Sequence, residues 1–142
     1  MKTTLCIEGN YGEKNFSTYM PDYTIPKYGI HGYGNNAREA IADTYVSLDE
    51  MRALAAESGD FFPAENPEFE LVFDIGAFFS YHDYLNISAV ARRIGINASL
   101  MRRYATGKTQ PSPARYAEII KGLHAIAEEI QTANLGTTRV AS

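Results

Sequence analysis

The stretch from Asn86 to Gly107 permits few folds, because signals that start and stop helices alternate in it at short intervals. Asn86 is a favourable N-cap for a helix that runs to Ile94, and Gly95 supplies the left-handed residue that commonly ends a helix. Asn97 is a new N-cap two residues later, so a second helix follows at once and ends near Gly107. The pattern therefore predicts two short helices joined by a tight turn.

Two further helices flank this pair in the sequence. Asp74 is placed to cap a short helix that ends near Tyr81. Ser112-Pro113 begins a long helix, because Pro is favoured at the first helical position after an N-cap Ser. Residues 75–131 are therefore expected to form an all-α domain, and residues 132–142 a flexible tail.

Several short segments in the first half of the chain have the features that are typical of strands. Asn36 and Glu39 have capping-box spacing, which predicts a helix that Ser58-Gly59 ends. Residues 1–74 thus predict a β-β-β-α-β domain, and the whole chain an α+β fold. Strands are expected at residues 3–7, 15–20, 29–34 and 68–73. The buried stripe of the helix is expected to consist of Ile41, Tyr45, Leu48, Met51 and Ala55.

Charge divides unevenly between the two halves. Residues 1–74 contain five basic and thirteen acidic residues, whereas residues 75–142 contain eight basic and four acidic ones. The halves therefore carry −8 and +4, and Arg92-Arg93 and Arg102-Arg103 cluster in the second. A basic module suits a polyanion such as nucleic acid, and an acidic one suits a basic protein. Ordinary solvated surfaces account for the charge alone equally well.

Several classes of protein are disfavoured. With Cys6 as the single cysteine, no intrachain disulfide can form, and a small core residue is the expected role of Cys6. The apolar runs are shorter than a membrane span, and the first residues lack a signal peptide, so a soluble cytoplasmic protein is expected. The three histidines have no metal spacing, and His31 has no carboxylate fixed near it. We expect no metal, no cofactor and no enzymatic activity.

The second of the two short helices is suited to the major groove of DNA. Apolar residues between the helices leave Ala98, Ser99, Arg102 and Arg103 on its outward face. A short helix with small polar residues at its tip and arginines behind them can enter a groove about 12 Å wide. The apolar wedge is expected to comprise Val90, Ile94, Ile96, Met101 and Tyr104.

The spacing in this stretch resembles the helix-turn-helix of the Cro/C1-repressor (XRE) family. The matching residues are Ala91, Gly95-Ile96-Asn97, Met101, Tyr104, Gly107-Lys108 and Pro111. The N-terminal half resembles HicB antitoxins, whose domain is a degenerate, partial ribonuclease-H-like fold. That similarity rests on the order of its elements, on residues 16–22, on Gly34 before the helix and on Arg38-Glu39-Ala40 at its start.

The resemblance implies which residues contact DNA. The base-contacting positions would be Asn97, Ala98, Ser99, Leu100 and Arg103. Arg103 is the best candidate for bidentate contact with a guanine edge. Leu100 either touches a thymine methyl group or packs against the fourth helix. The phosphate-contacting candidates are Asn86, Ser88, Arg102 and Lys108.

The resemblance also implies a function. A HicB-like antitoxin neutralises a small basic toxin that cleaves messenger RNA, and it binds operator DNA to repress its own operon. A homodimer or higher homo-oligomer is expected, because one such domain contacts few bases. The dimer contact is expected at the N-terminal sheet edge or the fourth helix. One alternative is a stand-alone regulator whose N-terminal domain senses a ligand or only dimerises. Another is a metal-dependent nuclease, for which Glu8 is the sole strand-end candidate.

Overall fold

Residues 2–136, which the computed structural model describes, form one four-stranded sheet and five α-helices. The α+β class predicted from the sequence is therefore confirmed. In chain order the elements are β1 (Lys2–Glu8), β2 (Phe16–Tyr19), β3 (Gly32–Gly34), α1 (Ala37–Ser58), β4 (Glu68–Phe73), α2 (Ile75–Tyr81), α3 (Ile87–Ile94), α4 (Ala98–Ala105) and α5 (Pro113–Thr132).

The sheet has the strand order β3-β2-β1-β4, and helix α1 covers one of its faces. Strand β1 pairs antiparallel with β2 and parallel with β4, and α1 crosses the sheet from the edge strand β3 to the opposite edge strand β4. Leu5 and Ile7 are fully buried beneath α1. Cys6 lies between them, points to the opposite face and is partly exposed. The expectation of a core cysteine is therefore wrong, because alternate residues of a strand face opposite ways.

Helix α1 begins where the sequence predicts. Of the predicted stripe, Leu48 and Ala55 are fully buried and Ile41 and Met51 pack against the core, but Tyr45 is exposed. The Oδ1 atom of Asn36 accepts from the Glu39 amide at 2.9 Å, as an N-cap should. Tyr45 is 40% exposed, whereas Ala40 and Thr44 are fully buried. The cause is Gly32, where an added Cβ would lie 2.1 Å from the Ala40 carbonyl oxygen. Strand β3 thus sits against the helix backbone, and only small side chains fit beneath it.

Helices α2 to α5 enclose a second core. Its most buried members come from every one of these helices and from the turn after α3. In each case the side chain of the residue before the helix accepts a hydrogen bond from a backbone amide three residues further on. The four caps are Asp74, Asn86, Asn97 and Ser112, as the sequence predicts.

The two cores meet at Asp74, where β4 continues directly into α2. The Gly9 amide donates to Asp74 Oδ2 at 3.1 Å, and the Tyr11 amide donates to the Ala105 carbonyl at 2.8 Å. Burial raises the pKa of the Asp74 carboxyl, although hydrogen bonds from Ala77 and Gly9 oppose the shift. The loop between β1 and β2 therefore rests on the end of α4.

Helix α5 ends at Thr132, and residues 133–136 are not helical. The tail predicted at 132–142 thus begins with the last helical residue, and residues 137–142 lie outside the described part of the chain. Within residues 2–136 no helix combines the length and the apolar character needed to cross a membrane.

The carboxylate of Asp60, just after the C-terminal end of α1, binds two residues of the segment between β2 and β3. Lys27 Nζ and Tyr28 Oη donate to Asp60 at 3.0 and 2.7 Å. The Tyr28 hydrogen bond, followed by that of Lys27, lowers the pKa of Asp60 below its ordinary 3.8. A lowered carboxyl pKa contributes stability that is present above the ordinary pKa and lost as the pH falls through the folded-state value.

The variant Asp60→Asn should therefore be less stable than the wild type near neutral pH, and the difference should shrink as the pH falls below 3.8. Urea unfolding of both proteins at a series of pH values down to 3 measures this difference. Tyr28→Phe removes the hydrogen bond that contributes most to the lowered pKa of Asp60, so it should reproduce part of the pH-dependent loss of stability. A difference that does not change with pH would contradict the assignment.

Candidate nucleic-acid interface

Helices α3 and α4 form a compact pair joined by a turn of three residues. Gly95 has φ 83°, in the left-handed region, and its amide together with that of Ile96 bonds to carbonyls of the last turn of α3. Asn97 then caps α4 through a 3.0 Å hydrogen bond from the Leu100 amide. A glycine is needed at position 95 because residues with a Cβ rarely adopt this conformation.

The inner side of α4 is fixed by the core. Met101 and Ala105 are fully buried, as is Ala91 on α3. Of the wedge predicted from the sequence, Val90, Ile96 and Met101 are buried, and Ile94 and Tyr104 pack partly buried against the same cluster. The orientation of α4 about its axis is therefore set, since these residues leave a single face for solvent.

The five residues predicted to contact bases differ in exposure. Asn97, Ser99 and Arg103 are exposed, whereas Ala98 and Leu100 are half-buried. Ala98 packs against the core cluster, and the Asn97 oxygen is already used in capping the helix. The polar groups that α4 offers to a ligand are consequently the Asn97 amide nitrogen, the Ser99 hydroxyl and the Arg103 guanidinium.

The two neighbouring arginines of α4 differ in their surroundings. Arg102 Nε donates to Ser88 Oγ at 3.0 Å and so links α4 to the first turn of α3. Within residues 2–136 the Arg103 guanidinium makes no hydrogen bond or ion pair. Arg103 can therefore bind a ligand without breaking a contact inside the protein, whereas Arg102 is held in place.

Three of the four predicted phosphate contacts come together at the start of α3. Asn86 and Arg102 line a hollow of about 340 Å³, and Ser88 bonds to Arg102 beside it. The carboxylate of Asp83 also lines this hollow and would oppose an anion there. Lys108 lies apart and exposed, in the segment that follows α4.

The other arginine pair, on α3, is divided in the same way. Both arginines are exposed, but Arg93 forms an ion pair with Glu129 of α5, whereas Arg92 has no ion pair among the described residues. Arg93 thus contributes to the attachment of α5, and less of its charge is available to a polyanion.

Two aromatic residues at this hollow were not predicted. Tyr84, which is 74% exposed, lines the hollow beside the N-cap of α3, and Tyr11, in the loop between β1 and β2, also lines it. No local pattern marks Tyr11, because its backbone contact with Ala105 joins distant parts of the chain. For Tyr84 the sequence does offer a signal, since this large aromatic residue lies two residues before the predicted N-cap Asn86.

In the part of the chain that the structure describes, three or more His, Cys, Asp or Glu side chains do not come together as metal ligands. Glu8 lies exposed at the end of β1, and His31 Nδ1 is 3.3 Å from the Thr18 carbonyl.

The chain was also compared with known proteins. Neither protein-family models, nor curated proteins, nor solved structures give a match. These comparisons assign the chain to no family.

Proposed function

We propose that the protein is a DNA-binding antitoxin: residues 75–131 bind operator DNA through a Cro/C1-type helix-turn-helix, and residues 1–74 form a HicB-like domain that neutralises a small basic toxin. The observation that carries the proposal is the exposed face of α4, where Arg103 is unpaired among the described residues. In this proposal the protein binds rather than catalyses, needs no cofactor and acts in the cytoplasm.

The DNA half of the proposal is supported by the way α4 is held. Its buried side fixes the helix, so Ser99 and Arg103 point outward without a conformational change. Preorganised groups lose less entropy on binding than mobile ones. In the proposed complex Arg103 contacts a base edge, and Arg102, supported by Ser88, contacts a phosphate.

The toxin half of the proposal is supported by charge. Residues 1–74 carry a net charge of −8, which would attract a basic protein and guide its approach. An alternative with the same DNA site is a stand-alone regulator whose N-terminal domain senses a ligand or only dimerises. The antitoxin proposal requires a basic partner, and the alternative does not.

A homodimer or higher homo-oligomer is supported by the surface of α5. Ile120 and Ile130 are 50% and 66% exposed, and Ile119 is the one described residue of α5 that is buried. A groove of about 460 Å³ runs between α5 and the edge strand β4. Apolar residues exposed along one helix are typical of a protein–protein contact.

The DNA site is tested by Arg103→Ala. Loss of one bidentate base contact should cost roughly 1–3 kcal/mol, which is about 5- to 150-fold in affinity, and should relax specificity at one base pair. The affinity is measured by fluorescence anisotropy with a duplex from upstream of the protein's own reading frame and with a scrambled duplex. Arg103→Lys keeps the positive charge but lacks the planar guanidinium that makes a bidentate contact. It should therefore bind DNA more tightly than Arg103→Ala but without the wild-type specificity.

The matched control is Lys121→Ala on α5, which also removes one exposed cation. It should leave discrimination between the two duplexes unchanged. If Arg103→Ala binds both duplexes as the wild type does, α4 is not the reading helix.

The partner is tested by co-purification with the product of the adjacent reading frame. We expect a stable complex with a small basic protein, followed by protection of operator DNA in a footprint. A wild type that protects its operator but binds no product of an adjacent frame would favour the stand-alone regulator.

A further inference from the structure

A groove lined by described residues lies away from α4, in the acidic half of the chain. It has a volume of about 640 Å³ and opens between two irregular segments, residues 22–26 and 61–67. The first segment joins β2 to β3, and the second joins α1 to β4. Neither the fold nor the proposed DNA contact requires a groove here.

Both walls of the groove are braced. Asp60 binds Lys27 and Tyr28 at the end of the first segment, and the Tyr28 ring meets the Phe62 ring edge-on at 5.9 Å. Arg52 donates to the Pro63 carbonyl at 2.8 Å and to Asn66 Oδ1 at 2.6 Å. The groove is therefore present before any ligand binds, and a ligand need not order the loops.

The groove offers an apolar contact surface in addition to its shape. Phe61 is 80% exposed at its rim. Tyr23, Ile25 and Pro63 line the interior. A large aromatic residue held in the open on a braced loop is the kind of residue that dominates protein–protein binding.

The charged residues that line the groove are both acidic. Asp22 and Glu65 are its only charged lining residues, and both are exposed. Asp22 also borders a neighbouring hollow that holds Glu70 and Lys2. Two further cations lie beside these segments, and both are paired with carboxylates, Lys27 with Asp60 and Arg52 with Asp49. A ligand that enters the groove thus meets carboxylates on both walls.

We propose that this groove binds an extended basic segment of the protein partner, with an apolar or aromatic side chain packed on Phe61 and Lys or Arg side chains on Asp22 and Glu65. Carboxylates on both walls would repel an acidic segment and attract a basic one. The inference rests on the proposed function, because it places the contact with the proposed basic toxin on a defined surface.

The test uses the full chain and the purified basic product of the adjacent reading frame as the probe. Isothermal titration is carried out with wild type, Phe61→Ser and Glu65→Lys. Each variant should weaken binding at least tenfold, while operator binding stays at the wild-type value. Both positions are exposed, so folding should be intact, and circular dichroism checks this.

The matched controls are Val46→Ser and Glu50→Lys, which make the same kinds of change at exposed positions of α1. They should bind the probe as the wild type does. As a second measurement, p-benzoylphenylalanine at position 61 should cross-link to a probe peptide rich in Lys or Arg. Cross-linking to an acidic peptide would overturn the proposal.

The remaining outcomes separate this inference from the proposed function. If wild type and all variants bind the probe equally, the groove proposal is overturned and the antitoxin function stands. If wild type does not bind the probe, the toxin half of the proposed function fails and the groove proposal fails with it. If Phe61→Ser instead changes the oligomeric state in light scattering, a second copy occupies the groove and the proposal is overturned.

Discussion

Gly76→Ala should lower the free energy of unfolding by roughly 3 kcal/mol, the upper part of the range for overpacked interiors. A Cβ at this position would lie 2.1 Å from the Gly9 carbonyl oxygen and 2.5 Å from that of Ala105. Both atoms belong to the backbone, so neither can rotate away. The β1–β2 loop or the end of α4 would have to move.

The sign of this effect is informative, because helix propensity alone predicts the opposite. Gly76 lies inside α2, where replacement of Gly by Ala ordinarily stabilises a helix by about 1 kcal/mol. The steric effect exceeds the propensity effect only if the two cores are docked as closely as Gly9 and Ala105 indicate.

The measurement is urea unfolding of wild type and variant. Gly29→Ala is the matched control, since its added Cβ would meet nothing closer than the His31 ring at 3.9 Å. Gly29→Ala should change the unfolding midpoint little. A Gly76→Ala protein as stable as the wild type would show that the β1–β2 loop does not rest on α4 in solution.

Helix boundaries could be predicted because caps are local. Asp74, Asn86, Asn97 and Ser112 each accept a hydrogen bond from an amide three residues away, so a short window of sequence contains both partners. The same applies to Gly95, whose left-handed backbone depends on its own lack of a Cβ.

Burial could not be predicted as well, because it depends on distant residues. Tyr45 lies exposed because Gly32 brings β3 against Ala40, and nothing within α1 announces that contact. Cys6 was expected in the core because Leu5, Cys6 and Ile7 form an unbroken apolar run, but the other residues on its face of β1 are Lys2, Thr4 and Glu8. Strand β3 is also shorter than predicted, since only residues 32–34 are extended and paired.

In the candidate site, too, local features could be predicted and contacts between helices could not. The exposure of Arg103 follows from helical spacing, which is a local property. The bond from Arg102 to Ser88 and the ion pair of Arg93 with Glu129 join different helices. Sequence reasoning assigned Arg103 to a base and Arg102 to a phosphate without these contacts, and packing leaves Arg92 and Arg103 the freer pair within the described chain.

The affinity of a dimer for its operator should fall about 10⁴-fold between 50 and 200 mM salt, if each domain makes about four phosphate contacts. Binding then releases the counterions condensed on about eight phosphates, and the slope of log affinity against log salt is about −7. The exposed cations Arg92 on α3, Arg102 on α4 and Lys108 after α4 are placed for this, whereas Arg103 is assigned to a base edge.

Lys108→Ala separates this charge effect from base recognition. The loss of one cation from each domain should make the slope of log affinity against log salt less steep by about 1 per domain, or about 2 for the dimer. Affinity for operator and for scrambled DNA should fall by the same factor, because a phosphate contact carries no sequence information. Anisotropy titrations at several salt concentrations measure both quantities. A slope that Lys108→Ala leaves unchanged would place Lys108 outside the contact, and an affinity independent of salt would exclude DNA binding through α4 and its neighbours.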